Sequence, residues 1–570
     1  MTALKYRITI TALGFILAMA FPLSTFAQGK TYNEEITVVA PFDPIIPDAF
    51  KISQNPVADD TLSSVPVMNY SIMPRMAAVK PIIETLPAVK LVAEPLSKLY
   101  RNYLRGGVGN YSALYGELFM SSLRSKQYLT TIRLKHQSAA GKIENYGSPA
   151  NSRNEAEIAA SKYYGEHTLA GNIYYYRDGL HLYGYKPDDY PDTVIEKDDI
   201  KQHYSTVGVS TSFGSNYKSN DKLNHSFGLS YYHLAGMYDN SENNLKFVTT
   251  LDKRIDLFKI EKDQVIGVNA GYNFLNQKDS LALINSGVLL LNPFIKAQLN
   301  EYSFMAGFKL NIASDSVTKA HFYPVAEARL ELIPNALKLY AGISGGMERT
   351  SLRNITEQNL FVSSVLPWNY VYDKFKIYGG FQSNISRSFN FNGSVSSSSF
   401  DNYPLFVTDT NAYLLNSFTL VYDKISSVEL KGELEFIKSD HLRLGLNGTY
   451  TIYNTDEQEY AWYKPAYVFE LTGRYNMQNK ITITAKATVN GPVWALVPVE
   501  AQYISAGPKY VMESQTIKGW ADINLGAEYR FTKALSFWIN FNNITNSKYN
   551  HWYNYRSYGF NVMAGAAYSF

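Results

Sequence analysis

The segment Gly342-Ile343-Ser344-Gly345-Gly346 matches the G-x-S-x-G pattern, in which a serine nucleophile lies on a sharp turn from a strand to a helix. No helical periodicity follows it, so we interpret these residues as small side chains along a β-strand. The nine histidines are scattered singly, without the H-E-x-x-H spacing of a zinc site, and the chain contains no cysteine. The sequence therefore predicts no catalytic residue, no metal site and no cofactor.

A second set of candidate residues carries charge of both signs at alternate positions, with apolar residues between them. The set consists of Arg133, Lys135, Glu327, Arg329, Glu331, Arg443, Arg474, Glu528 and Arg530. Side chains on a strand point to opposite faces with a period of two, so these charges share one face. We interpret that face as the wall of a water-filled lumen, made rigid by ion pairs. The alternative is that it docks another segment of the chain or screens a ligand.

The strands that carry these charges are predicted by the alternation itself, which continues from about residue 100 to the end of the chain. In 481–490 apolar residues alternate with Thr, Lys and Asn, and 521–531 and 428–436 repeat the pattern. The segments run for about 10–15 residues, whereas strands of soluble proteins most often have about 5–6. Such segments are long enough to cross a bilayer at a tilt. A soluble β-sandwich is the alternative that this length disfavours.

The connections and the last strand favour a membrane barrel. Short turns, as at 333–335 and 438–440, alternate with long loops, which we place at 138–153, 185–200, 349–370, 399–411 and 491–515. Short periplasmic turns and long external loops are typical of outer-membrane barrels. The chain ends on an apolar face that includes Phe560, Tyr568 and Phe570, as expected for a strand that closes a cylinder.

We therefore predict an all-β fold, a transmembrane antiparallel β-barrel of about 22 strands within a range of 16–24. Aromatic residues near strand ends suggest a girdle at the lipid–water interface. This group contains Tyr450, Tyr453, Trp462, Tyr463, Trp552, Tyr553 and Tyr555. Outer-membrane lipid is the expected surrounding, in a Gram-negative cell. A net charge of +3 does not favour nucleic acid as a partner.

Three regions are predicted along the chain. Residues 1–27 read as a signal peptide, with Lys5 and Arg7 before an apolar stretch of about 14 residues, too short to span a bilayer. Residues 28–99 form a Pro-rich periplasmic or lumenal segment, because recurring prolines exclude a helix or an interior strand. Residues 100–570 form the barrel.

One short motif precedes the prolines: Glu34, Glu35, Ile36, Thr37, Val38, Val39 and Ala40. An acidic start followed by alternating Ile and Val resembles the TonB box of TonB-dependent outer-membrane receptors. The strands within 522–570 also resemble the end of that family's barrel, most of all its Bacteroidetes-type members. The resemblance implies a TonB-type energy transducer as a partner, bound by strand addition at the box. Family members place a plug of well over a hundred residues before the barrel, whereas here about 60 residues separate Pro41 from Tyr100.

The sequence leaves several functions open. The first is import of an unknown ligand through a TonB-dependent-receptor-like barrel, with the Pro-rich residues 41–95 acting as a minimal stopper in the lumen. The second is a plugless barrel that serves as a structural subunit with other outer-membrane proteins or lipoproteins, and the third is a passive porin. An exterior serine–histidine pair, as in outer-membrane phospholipases, is the enzymatic alternative. We expect a non-enzyme.

Overall fold

A computed structural model of the protein describes residues 100–123, 125–217, 222–256, 264–315, 317–500 and 510–570. The alternating segments form 22 strands of one antiparallel sheet, in which each strand pairs with the next barrel strand along the chain. The last strand returns to the first, with Leu104 opposite Tyr568 and Val108 opposite Ala564. The predicted closed barrel of about 22 strands is therefore confirmed.

Twenty-six strands are numbered in chain order. The 22 of the barrel are β1 Asn102–Gly109, β2 Ala113–Ser121, β3 Tyr128–Ala139, β4 Asn151–Tyr164, β5 His167–His181, β6 Lys201–Ser215, β7 Asn224–Gly236, β8 Ser241–Ile255, β9 Gln264–Lys278, β10 Leu283–Leu299, β11 Tyr302–Ser314, β12 Lys319–Ile333, β13 Leu337–Arg349, β14 Tyr370–Ser386, β15 Phe389–Thr408, β16 Phe418–Lys438, β17 Leu442–Thr455, β18 Tyr467–Met477, β19 Ile481–Asn490, β22 Trp520–Arg530, β23 Leu535–Asn542 and β26 Asn561–Ser569.

Shorter elements lie in the loops between barrel strands. Two small hairpins are formed by β20 Val493–Glu500 with β21 Tyr510–Ile517 and by β24 Asn550–Trp552 with β25 Tyr555–Arg556. One α-helix, α1 Leu352–Gln358, follows β13, and a 3-10 helix spans Pro187–Asp189. No helix in the described ranges is both long and apolar enough to cross a membrane.

The two faces of the sheet differ in chemistry. One face carries the alternating charges, as where Lys135 on β3 lies opposite Glu117 on β2 and Glu155 on β4. The other face is apolar, and Ile158 and Ile173 on it are 52% and 60% exposed to the surroundings of the chain. An apolar wall that continues around a closed barrel is favourable in lipid and unfavourable in water. The charged face is therefore the lumen wall and the apolar face is the outer wall.

The two ends of the barrel differ in the length of their connections. At the end that holds both termini of the barrel, every connection has eight residues or fewer. Several of these short turns use left-handed backbone, for example at Gly165 with φ 58° and at Asn335 with φ 59°. At the opposite end lie seven longer loops, at 140–150, 182–200, 350–369, 409–417, 456–466, 491–519 and 543–560.

One predicted loop was wrong. The sequence places a loop at 399–411, but β15 continues to Thr408 and the loop spans 409–417. The strand is prolonged because 403–408 pair with 418–423 of β16. The Leu405, Phe406 and Val407 side chains in this extension are buried.

The seam between the last and first strands depends on an indole ring that lies over glycines. A Cβ on Gly107 of β1 would lie 2.4 Å from Cζ2 of Trp538, and one on Gly565 of β26 would lie 2.7 Å from the same atom. The guanidinium of Arg105 lies 4.3 Å from the indole on the lumen side. The ring of Tyr115 meets the indole edge-on at 6.0 Å. Glycine is therefore required where the indole crosses the seam.

We expect Gly107→Ala to weaken the closed barrel, because its methyl group would overlap the Trp538 ring. Overpacking of this kind costs about 1–3 kcal/mol. The measurement is the temperature at which the folded barrel loses its heat-modifiable gel mobility. Gly116→Ala is the matched control, since a Cβ at Gly116 of the adjacent strand has no heavy atom within 4 Å. Equal transition temperatures for the two variants would contradict this account of the seam.

Candidate functional site: the lumen wall and the loop cap

The lumen-facing residues predicted on β3 form an ion-pair network with the neighbouring strands. Arg133 Nε lies 3.3 Å from Glu117, and its Nη1 lies 3.6 Å from Glu155. Glu155 also pairs with Lys135 at 3.5 Å and with Arg153 at 3.0 Å. The structure thus brings Arg133 and Lys135 together around one carboxylate. The Arg133 side chain is partly open to water, so the network adds rigidity more than stability.

A second group lies on β12. Glu327 accepts a hydrogen bond from Arg329 at 2.6 Å and another from the Tyr378 hydroxyl at 2.8 Å. Glu331, at the short-turn end of the same strand, lies 3.9 Å from Lys338. These residues bind one another and β13 or β14, and no described contact joins them to the network on β3.

The remaining predicted lumen residues are spread over β17, β18 and β22. Arg443 lies 3.7 Å from Glu435 and directly across the sheet from Arg474. Glu528 accepts a hydrogen bond from the Ser536 hydroxyl at 2.6 Å, and Arg530 lies opposite Ser536 on β23. The nine predicted residues therefore occupy several places around the lumen wall and do not converge on one site.

The residues predicted to close the barrel lie at both ends of the last strand. Tyr568 is on the outer wall of β26 and stacks on Phe570, with ring centroids 5.5 Å apart. Phe570 lies just beyond β26, and its backbone exchanges hydrogen bonds with Asn102 of 2.9 and 3.0 Å. Phe560 directly precedes β26 and stacks on Phe541 at 6.3 Å.

Neither the G-x-S-x-G serine nor the histidines form a catalytic or metal-binding arrangement among the described residues. The G-x-S-x-G segment lies inside β13, where Ser344 is opposite Lys376 of β14, and therefore not on a strand-to-helix turn. Across the described ranges no three His, Asp or Glu residues are grouped so as to hold a metal ion. The TonB-box-like residues 34–40, the signal peptide 1–27 and the Pro-rich segment 28–99 lie outside the described residues.

The largest feature that sequence reasoning missed is a hydrophobic cluster made by the long loops and by the strand ends beside them. We call this cluster, with the loops that carry it, the loop cap. Tyr555, only 2% exposed, stacks on Phe361 with centroids 3.7 Å apart and meets Tyr183 edge-on at 4.9 Å. Trp552 contacts Phe418 at 5.3 Å. Packed aromatic pairs of this kind add stability beyond their buried area.

The loop cap lies across the mouth of the barrel. Tyr183 belongs to the loop after β5, Phe361 to the loop after β13 and Tyr555 to the loop after β23. These strands are far apart around a closed ring of 22, so their loops can touch only by converging over the opening. Hydrogen bonds also join these loops, since Tyr183 donates to the Arg556 carbonyl at 2.8 Å. Asn416 of the loop at 409–417 donates to the Leu182 carbonyl at 2.5 Å, which adds a fourth loop.

A buried carboxylate on the lumen wall anchors the helix of the cap. Glu242 on β8 is fully buried and accepts hydrogen bonds from the backbone N–H groups of Leu352 and Arg353, at 2.5 and 3.4 Å. It also accepts from the Tyr232 hydroxyl at 2.7 Å and the Gln277 amide at 3.1 Å. The free N–H groups at the start of α1, which follows β13, thus donate to a carboxylate on β8, five strands away around the barrel.

A second buried carboxylate holds the loop at 456–466. Asp423 on β16 accepts hydrogen bonds from the backbone N–H groups of Asp456, Glu457 and Gln458, at 3.2, 2.9 and 2.9 Å. Gln458 in turn accepts from the indole N–H of Trp462, which is buried in the cap. Backbone amides that converge on one carboxylate fix the loop without any side-chain complementarity.

The interpretation of the aromatic residues as an interfacial girdle was therefore wrong for part of the set. Trp462, Tyr463 and Tyr555 are buried in the cap, whereas Tyr450 is 44% exposed on the outer wall as a girdle residue would be. Both roles place aromatic side chains near strand ends, so position in the sequence does not separate them. The signal that separates them is the location of the cap residues in long loops that also contain Pro, Asn or Asp.

We expect Glu242→Gln to loosen α1, because the new amide group cannot accept from all four donors around it. A loss of about 1.4 kcal/mol of local stability corresponds to a tenfold increase in the equilibrium constant for local unfolding of α1. Cleavage by trypsin after Arg353 in detergent-solubilised protein should therefore be about tenfold faster. Asp239→Asn is the control, since Asp239 is exposed just before β8 and pairs with Lys278 rather than with α1. If both variants are cut at the wild-type rate, Glu242 does not hold the helix.

Comparisons with known proteins give no match to any protein-family model or to any curated protein. The fold resembles several solved structures. With the pyoverdine outer-membrane receptor FpvA of Pseudomonas aeruginosa bound to pyoverdine, the TM-score is 0.62 at 11% identity, over 84% of this chain and 79% of that chain. The siderophore receptor PirA of Acinetobacter baumannii gives 0.62 at 11% identity over 84% and 81%.

The FrpB iron transporter of Neisseria meningitidis (F3-3 variant) gives a TM-score of 0.60 at 10% identity, over 83% of this chain and 82% of that chain. At such identities the likeness concerns the fold. A closed 22-stranded barrel with an apolar outer wall is the architecture of large Gram-negative outer-membrane barrels. The chain is an outer-membrane β-barrel with the fold of the siderophore and iron receptors.

Proposed function

We propose that the protein is a receptor that imports a ligand across the outer membrane and is opened by a TonB-type energy transducer. The observation that carries this proposal is the loop cap, because loops from distant strands close the mouth of a barrel that would otherwise be wide. Import through such a barrel requires an opening event. The structural likeness to proteins described as siderophore receptors and an iron transporter supports the same function. We further propose that residues 1–27 are a signal peptide and that the protein is a receptor of the Bacteroidetes type.

The energy for opening would arrive through the strand-like residues 34–40. An acidic residue followed by alternating Ile and Val can add as a strand to a partner sheet, where main-chain hydrogen bonds supply the affinity. A proline in this strand would remove a donor and prevent pairing. In this proposal the loop cap and the lumen admit the ligand, and residues 34–40 bind the transducer. Neither step makes or breaks a covalent bond, so neither needs a catalytic residue. We therefore propose a non-enzyme.

A second candidate function is a structural subunit of an outer-membrane complex, with other membrane proteins or lipoproteins as partners. The observation in its favour is the short distance of about 60 residues from Pro41 to the barrel, which leaves little chain for a globular plug. A passive porin receives less support, because the loop cap blocks the route that a freely diffusing solute would use.

The absence of native cysteine allows a direct test of transducer binding. We expect Val38→Cys to form a disulfide with a cysteine placed in the partner-binding strand of the transducer's periplasmic domain, because paired strands bring side chains within bonding distance. Adding Ile36→Pro to the same chain should abolish the cross-link. The measurement is the shifted band on a non-reducing gel of outer membranes.

The control is Ser64→Cys, which places the thiol in the Pro-rich segment beyond the box. A cross-link at residue 38 and not at residue 64 supports energised import. No cross-link at either position, together with co-purification of a stoichiometric membrane partner, would contradict import and favour the structural subunit.

A further inference from the structure

A cavity of about 560 Å³ lies beneath α1, between the helix and the lumen wall. Strands β13, β14 and β15 form its wall, Ile355 and Gln358 of α1 contribute to its lining, and Lys464 of the loop at 456–466 closes one side. Cavities that hold small organic ligands have about 300–1,000 Å³. The cavity is therefore large enough for a small molecule.

Positive charge exceeds negative charge in the lining. Four cationic side chains, Lys309, Arg349, Lys376 and Lys464, meet two carboxylates, Glu348 and Asp373. One of these carboxylates already has a partner, since Glu348 accepts a hydrogen bond from the Asn354 amide at 3.0 Å. Cationic groups in a concave site attract anions more strongly than the same groups on an open surface.

Lys464 is a cationic group of the lining that no carboxylate of the described residues neutralises by an ion pair, as is also true of Lys309 and Lys376. No carboxylate of the described residues lies within the 4.0 Å of its Nζ that an ion pair requires, and the nearest recorded partner is the Tyr403 ring at 5.2 Å. Burial lowers the pKa of Lys464 below its usual value. Lys464 is half-buried, and an anion in the cavity would supply the counter-charge that its ammonium group lacks.

A second cationic group of the lining, Arg349, has one unpaired donor. The Arg349 side chain is only 5% exposed, its Nη1 lies 3.6 Å from Asp315, and its Nε has no hydrogen-bond acceptor among the described atoms. Buried guanidinium N–H groups are normally satisfied, and a ligand oxygen that reached this donor would satisfy it. Arginine offers donors in a planar fork that suits carboxylate and phosphate oxygens.

Part of the cavity lining is apolar. Phe400, Tyr403 and Pro404 of β15 belong to it. A ligand that fits this lining would carry an anionic group toward Lys464 and Arg349 and a carbon framework toward the apolar residues. Apolar walls with a few convergent charged groups are typical of sites for small organic molecules.

We propose that this cavity binds a small organic anion, with a carboxylate or phosphate group held by Lys464 and Arg349. The proposal gives a chemical class to the cargo and rests on the proposed function for the claim that the bound anion is imported. Binding itself does not depend on an energy transducer.

The test is isothermal titration of the detergent-solubilised full-length protein with citrate and with inorganic phosphate as probes. We expect saturable binding of at least one probe, weakened by added NaCl as an ion pair would be. Lys464→Met keeps the side-chain length and removes the charge, and it should weaken binding about tenfold or more. Lys464→Arg should stay within a few-fold of wild type.

Lys533→Met is the matched control, because Lys533 is exposed in the short turn 531–534 at the other end of the barrel. It should bind the probe as wild type does, and heat-modifiable gel mobility shows that each variant is folded. Failure of both probes to bind the folded wild type, or equal binding by Lys464→Met and wild type, would overturn the proposal. A missing transducer cross-link with intact probe binding would remove energised import and leave this site in place.

Discussion

A β-sheet in lipid cannot have an unpaired edge, and the architecture of this protein follows from that requirement. Backbone N–H and C=O groups find no water in the hydrocarbon region, so every strand must have two neighbours and the last must pair with the first. The pairing of β26 with β1 satisfies this requirement. The glycines beneath the Trp538 indole follow from it, since the seam must close at normal strand spacing while a large ring covers its lumen side.

Closure of so many strands creates a wide lumen, and the protein fills its outer mouth with its own loops. The aromatic cluster around Tyr555 supplies buried apolar area, which holds the loops together. Glu242 and Asp423 fix the positions of two loops, because each carboxylate on the wall accepts hydrogen bonds from the backbone N–H groups of one loop. The cap is thus attached to the wall by hydrogen bonds whose partners lie far apart in the sequence. The cationic cavity beneath α1 exists because this attachment leaves a space between helix and wall.

The architecture was largely predictable from the sequence, whereas the cap was not. Alternation along 481–490 or 521–531 is a local signal, and it identifies both the strands and the faces on which Arg133 or Glu327 lie. The burial of Trp462 and Tyr555 depends on contacts between loops separated by tens to hundreds of residues, which no local periodicity encodes. The extension of β15 to Thr408 was missed for the same reason, because its pairing with β16 above the membrane replaces the expected turn. The role of Glu242 depends on the contact between strand β8 and helix α1, which are about 110 residues apart in the sequence, so no local pattern encodes it.

The loop cap separates the lumen from the cell exterior, and this separation can be measured by cysteine accessibility on intact cells. The chain has no native cysteine, so a single one can be placed at Ser396, on the lumen face between Tyr378 and Glu429, or at Val194, which is 89% exposed in the loop after β5. With a bulky, membrane-impermeant maleimide, we expect rapid labelling at residue 194 and slow labelling at residue 396. Equal labelling rates at the two positions would show an open mouth and contradict this separation.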